Sequence, residues 1–220
     1  MPLRRPPAYG ADVDLSGGVA VRVSALCLDR DGRLTDRLLF SDAVRAGLLL
    51  DLALAGRLQS TAESIEVDEA PTGFGPADRL LAAMAVESGR SLDEWRVERR
   101  IGLRDVAAAN VASGSWVRRT GPFGLRPRYT DRNRDRAARD AARSTADWPR
   151  DATPADACVT ALAAASGLLD RDAGLPEGPA PAVLAAAAPV EWLCAVAAEH
   201  LQRAHRRYLD QASALGTGFF

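Results

Sequence analysis

Apolar positions in this 220-residue chain recur mostly at three- and four-residue intervals, the spacing of one helix face. In residues 41–55, Val44, Leu48, Leu49, Leu52 and Ala53 keep that rhythm. Ser41 can cap the segment and Gly56 can stop it, so it predicts a helix. Residues 76–87 put Leu80, Leu81 and Met84 on one face. Ser91-Leu92-Asp93-Glu94 has the form of a capping box that opens a helix carrying Trp95. Residues 103–113 group Leu103, Val106, Ala107, Asn110 and Val111, and Gly114 ends them. Residues 131–146 predict a strongly charged helix laced by i,i+4 pairs. Residues 153–169 predict an Ala-rich buried helix. Residues 189–209 predict a closing helix through Trp192, Leu193, Val196, Ala197, Leu201 and Tyr208.

Other stretches break this rhythm. Residues 19–28 are a Val-rich apolar run that fits a strand or a short helix, followed by the turn Asp29-Arg30-Asp31-Gly32. Residues 57–67 read as a strand or extended connector into the turn Ala70-Pro71-Thr72-Gly73. Trp116-Val117-Arg118-Arg119-Thr120 alternates as a strand does, Gly121-Pro122-Phe123-Gly124 turns, and residues 125–130 return as the second arm of a β-hairpin. The expected fold is mainly α: a single-domain helical bundle with one protruding β-hairpin. Residues 1–15 form a loose tail and residues 16–220 the domain. Within it, residues 170–181 form a linker-like loop carrying Gly174, Pro176, Gly178, Pro179 and Pro181. No repeat of fixed period is present.

Composition agrees with helices. Hydrophobic residues make up 47% of the chain but aromatics only 5%, which disfavours a β-sandwich. Four tryptophans, Trp95, Trp116, Trp148 and Trp192, are assigned to packing. Cys27, Cys158 and Cys194 are odd in number and far apart, which predicts buried free thiols in a reducing cytoplasm. Residues 1–10 are rich in Pro and Arg, without the apolar core of a signal peptide. The longest uncharged apolar stretch, residues 157–169, falls short of the ~18–20 residues a membrane span needs. The expected protein is soluble or attached to a surface.

Charge changes the picture. The net charge is −1, yet residues 95–143 hold 13 arginines against 5 acids. A basic block between acidic flanks is the footprint of a polyanion partner, unless the arginines pair within the fold. All 28 basic residues are arginine, so every basic site is a planar fork of donors.

Catalytic patterns are missing. Without lysine there is no P-loop, and no Gly-x-Gly-x-x-Gly, Gly-x-Ser-x-Gly or His-Glu-x-x-His occurs. His200 and His205 lie on different faces of one helix and read as surface or helix-end residues. Asp131, Asn133 and Asp135 begin a calcium-loop spacing, but Arg136 and Ala142 stand where glycine and the bidentate acid belong. An acid-rich helix N-terminus explains them better. We expect no metal, no cofactor and no enzymatic activity.

Three segments in order carry a resemblance. They are Phe40-Ser41-Asp42-Ala43-Val44-Arg45-Ala46-Gly47 continuing through Leu52-Ala53-Leu54-Ala55-Gly56-Arg57-Leu58; Ala70-Pro71-Thr72-Gly73 with Asp78 and Leu81; and Leu103-Arg104-Asp105-Val106 through Gly114-Ser115-Trp116-Val117 with its hairpin. Together they resemble the Golgi phosphoprotein 3 family across residues 30–145. The resemblance implies a mainly helical peripheral membrane protein with one β-hairpin. Family members bind phosphatidylinositol 4-phosphate in a basic pocket and hold the cytosolic tails of Golgi glycosyltransferases. Arg45 matches one pocket arginine and Arg100 a second. A third falls on Leu103, with Arg104 beside it, and the pocket tryptophan falls near Asp36 or Arg37, where this chain has none.

Two functional readings result. The first is a non-catalytic adaptor at the cytoplasmic face of the membrane. Arg45, Arg100 and Arg104 would bind anionic phospholipid headgroups. Phe123 and Leu125 at the hairpin tip would insert shallowly, between Arg118, Arg119, Arg126 and Arg128. The hairpin would alternatively mediate self-association. The second reading is a winged-helix-like DNA-binding module, in which residues 103–113 would enter the major groove. Only Asn110 and Arg104 there could read bases, which weighs against it.

Overall fold

In the computed structural model, residues 14–35, 37–60, 65–87, 94–95, 101–121, 127–142, 151–169 and 179–216 are described. The Val-rich run is a helix, α1 (Val19–Leu26), preceded by a 3₁₀ turn at Leu15–Gly17. All eight residues of α1 are buried, which resolves the strand-or-helix ambiguity: an element apolar all round occupies the middle of a core. Helix α2 (Leu38–Leu54) crosses it, buried from Asp42 through Ala53. The crossing is close at Gly47, where a Cβ would lie 2.8 Å from the Ala20 Cα.

Helix α2 begins three residues before Ser41, with Arg37 at its N-cap, so Ser41 lies inside the helix and does not cap it. It ends as the sequence predicts. Gly56 takes φ +71, and the Arg57 N–H donates back to the Leu52 carbonyl at 2.8 Å. The extended connector is a small hairpin of its own, β1 (Leu58–Ser60) paired with β2 (Ile65–Val67), so the domain carries a second antiparallel pair. Next comes α3 (Gly75–Val86), packed on α2. The capping box at 91–93 lies outside the described residues, while Trp95 is buried in the core.

Helix α4 (Leu103–Ala112) packs on α1 and α2, and Gly114 ends it at φ +75. Strands β3 (Trp116–Arg119) and β4 (Arg128–Asp131) form the expected hairpin. Asp131 closes β4, and the charged helix α5 (Arg134–Ala142) starts three residues later. The acid-rich helix start expected at Asp131 is thus one strand residue plus a turn, in which the Asn133 N–H donates to Asp131 Oδ1 at 2.8 Å. Helix α6 (Pro154–Ala165) is capped by Thr153 and buried from Ala157 onward. The expected closing helix is α8 (Glu191–Gly216), and a short helix, α7 (Pro181–Ala186), precedes it where no helix was expected. Pro181 sits in the first turn of α7, where its missing N–H costs nothing. Residues 170–178 of the linker-like loop lie outside the described set.

One large core joins α1, α2, α3, α4, α6, α7 and α8. Helix α1 touches α2, α4, α5 and α6, while α8 packs against α2 and α6 on the far side. A small satellite cluster of Ala25, Ala107 and Trp116, with Leu28 and Tyr129 against it, seats the base of the β3–β4 hairpin on the end of α1. The three cysteines are free and buried. Among the described residues no helix is long and apolar enough to cross a membrane.

Candidate functional site

Arg45 projects from the second turn of α2 toward the start of α4. It is 1% exposed. Its Nε donates to the Ile101 carbonyl at 2.8 Å, and its Nη1 donates to Asp42 Oδ1 at 2.8 Å. A Cβ on Gly102 would lie 3.5 Å from Arg45 Nη2, so the chain passes directly over the guanidinium. Arg45 therefore joins two helices and shares its charge with a carboxylate of its own helix. Arg100 is outside the described residues, so its position relative to Arg45 is not described. Arg104 is exposed on the first turn of α4. There the Gly102 N–H donates to Asp105 Oδ2 at 2.9 Å, and Arg79 bonds the other oxygen of Asp105 at 2.7 Å.

Where the resemblance would place a tryptophan, Arg37 stacks between two rings. Its guanidinium lies 5.6 Å from the Phe40 ring centroid and 5.5 Å from that of Tyr208. His205 is nearby. Burial first, and then the charge of Arg37, hold its imidazole below the usual value. His205 is not a plain surface residue, because its ring rests against Gly167.

The hairpin presents its arginines outward. Arg118, Arg119 and Arg128 are exposed, and none of them forms an ion pair among the described residues. Arg119 stands directly across the ladder from Arg128, and Arg118 across from Tyr129. Trp116 anchors the base, its ring 5.9 Å from that of Tyr129. The tip residues Phe123, Leu125 and Arg126 lie outside the described residues.

Two charged assemblies inside the bundle were not foreseen. Arg22 of α1 is 7% exposed; its Nη2 reaches Asp140 of α5 and Asp156 of α6, both at 2.6 Å, and its Nε reaches Asp140 again at 2.9 Å. Burial opposes the Asp156 charge, but the Thr153 N–H and Arg22 outweigh it and bring the carboxyl down to about 2. Asp51 of α2 accepts the N–H groups of Val19 at 2.7 Å and Ala20 at 2.9 Å, capping α1 from a distant helix. Full burial nevertheless pushes its carboxyl up to about 7. The signal available in the sequence was a single charge inside each of two apolar runs, since a charge there is paired or bonded.

Asn110, offered above as a base reader, is fully buried, so of that pair only Arg104 reaches solvent. Among the described residues no cluster of His, Cys, Asp or Glu could hold a metal ion. The fold and its outer face define a helical domain whose β3–β4 hairpin displays arginines without ion-pair partners among the described residues. The chain belongs to the Golgi phosphoprotein 3 (GPP34) family, whose sequence model matches residues 25–207. That family is known for phosphoinositide binding and for non-enzymatic adaptor roles. No curated protein matches the chain.

Proposed function

We infer that this protein is a peripheral, non-catalytic adaptor that binds anionic phospholipid at the cytoplasmic face of a membrane. The observation that carries the reading is the hairpin: exposed Arg118, Arg119 and Arg128, without ion-pair partners among the described residues, on a member of a lipid-binding family. Each arginine near an anionic bilayer contributes on the order of 1 kcal/mol, so a handful gives measurable attachment. In this reading Arg126 joins them, and Phe123 and Leu125 dip into the interface. Arg104, Arg100 and Arg45 receive a headgroup phosphate. Arg45 takes part only where a phosphate displaces Asp42 from its Nη1. The cytosolic tail of a membrane protein, or a second copy through the hairpin, is the protein partner.

Sedimentation with vesicles tests this. Phosphatidylcholine vesicles should leave the protein in solution, and vesicles containing phosphatidylglycerol or phosphatidylinositol 4-phosphate should carry it down. Equal recovery with both kinds, or none with either, sinks the reading.

A further inference from the structure

We propose that a groove between the Asp29–Gly32 turn and the base of the β3–β4 hairpin is a second anion site, built for a phosphoryl group carried next to a hydrogen-bond donor. The groove has a volume of about 450 Å³, within the usual range for small-ligand sites. Arg30, Arg119, Arg128 and Arg134 line it. They come from three separate parts of the chain: the turn, the hairpin and α5. All four are exposed, and none is ion-paired among the described residues.

The acids of the groove do not neutralise them. Asp29 Oδ1 accepts the N–H groups of Asp31 and Arg33, both at 2.8 Å, and so holds the turn together. Asp31 leans 3.9 Å toward Arg33, which is not one of the four. Asp131 is 6% exposed; one carboxylate oxygen holds the Asn133 N–H, and the other, Oδ2, is buried and has no partner among the described residues. Arg119 and Arg128 meanwhile face each other across the ladder, and like charges in that position repel. An anion between them removes the repulsion. Asp131 lines the groove, and its unsatisfied oxygen takes a donor from a ligand once the side chain turns outward. The two demands together describe a phosphate ester bearing a hydroxyl or ammonium group. It would come either from a lipid headgroup or from a free phosphorylated metabolite.

The groove is preformed. The Tyr129 N–H donates to the Gly32 carbonyl at 2.6 Å, which pins the turn to the edge of β4. Gly32 sits at φ +76, and any side chain there would collide with the Tyr129 carbonyl. The backbone is therefore in place when a ligand enters, and the ordering left to do is that of the arginine side chains.

The test uses the full chain, with titration calorimetry against glycerol 3-phosphate and inorganic phosphate and sedimentation with phosphatidylglycerol vesicles, all at constant ionic strength. The variant is Arg30→Gln with Arg134→Gln, two exposed residues that the membrane reading above does not invoke. A free phosphoester source gives saturable glycerol 3-phosphate binding that weakens at least about tenfold in this variant, the loss of one or more charge-assisted bonds. A headgroup source gives no soluble binding but a comparable loss of vesicle recovery. Asp131→Asn should weaken glycerol 3-phosphate relative to inorganic phosphate, since only the former carries alcohol hydroxyls set beside the phosphoryl group. The proposal is overturned if the double variant matches the wild type against both soluble probes and vesicles. In that case wild-type vesicle binding still stands for the adaptor reading. Phosphate binding without vesicle binding would leave the groove and remove the adaptor.

Discussion

The arginines of the bundle interior and those around the hairpin are the same side chain in opposite circumstances. Arg22 holds three short bonds to two carboxylates, and Arg45 is shared between Asp42 and a backbone carbonyl. Around the hairpin, Arg30, Arg119, Arg128 and Arg134 have no such partners among the described residues, although three aspartates line the same groove. What differs is how the carboxylates are occupied. In the core, Asp140 and Asp156 turn their oxygens toward a guanidinium. At the hairpin, Asp29 and Asp131 each turn one oxygen to backbone N–H groups of their own turns, and neither forms an ion pair with a guanidinium among the described residues. Counting acids against bases along a segment therefore misleads. Where the fold points each carboxylate decides which arginines are available to a ligand.

The sharpest way to break this contrast is to delete a charge on each side. Arg22→Met leaves Asp140, 1% exposed, as a buried carboxylate without its main partner. The expected loss is about 3–5 kcal/mol of unfolding free energy. Arg30→Gln, at an exposed position, should change stability by less than about 0.5 kcal/mol. Urea denaturation of both variants measures the difference, and similar values would erase the distinction. A second substitution refines the result. Adding Asp140→Leu to Arg22→Met should recover part of the loss, because it removes the orphaned charge instead of a contact.

A pH scan sharpens the interior half. Asp51 keeps its proton up to about pH 7 when folded, while in the unfolded chain it releases it near the ordinary 3.8. Its contribution is therefore complete below about pH 4 and is lost as the pH climbs toward 7, so stability falls across that window. Asp156 behaves in the opposite way. Its folded carboxyl titrates at about 2, so its contribution is present above the ordinary value and disappears as the pH falls through 2. Asp51→Asn should flatten the slope between pH 4 and 7 whatever it does to absolute stability. An unchanged slope in urea midpoints would remove Asp51 from the account.

The periodic parts of this architecture were legible in the sequence. Leu80, Leu81 and Met84 marked α3; Gly56 and Gly114 marked the ends of α2 and α4; Trp116 to Thr120 marked the first arm of the hairpin. Local rules fail where a distant residue does the work. The N-terminus of α1 is capped by Asp51, 31 or 32 residues away, and the bonds of Arg22 span 118 and 134 positions. Ser41 has the residue type of a cap, but the helix starts a turn earlier, at Leu38, with Phe40 in the core and no side-chain cap bond at Arg37. The candidate site was legible as a basic block and a hairpin. Arg45 has a motif position but points into the protein, and the groove depends on Gly32 meeting Tyr129 across 97 positions of chain. Arg30 and Arg134 could not be grouped with the hairpin before that contact was known.

The smallest expected effect is also the most specific. Arg119 is registered against Arg128, whereas its neighbour Arg118 is registered against Tyr129. Directly opposed like charges destabilise an antiparallel pair by roughly 0.2–1 kcal/mol. Arg119→Gln should therefore raise stability by that amount at low salt. The gain should shrink as salt screens the pair, since the screening length falls from roughly 30 Å at 0.01 M to about 3 Å at 1 M. Arg118→Gln has no opposed charge to relieve and should show no gain at any salt. Removing an arginine would then carry opposite signs in the two regions, a large loss at Arg22 and a small gain at Arg119. If Arg118→Gln and Arg119→Gln shift the urea midpoint alike, the opposed pair carries no strain, and the hairpin has no charge waiting for a phosphate to settle.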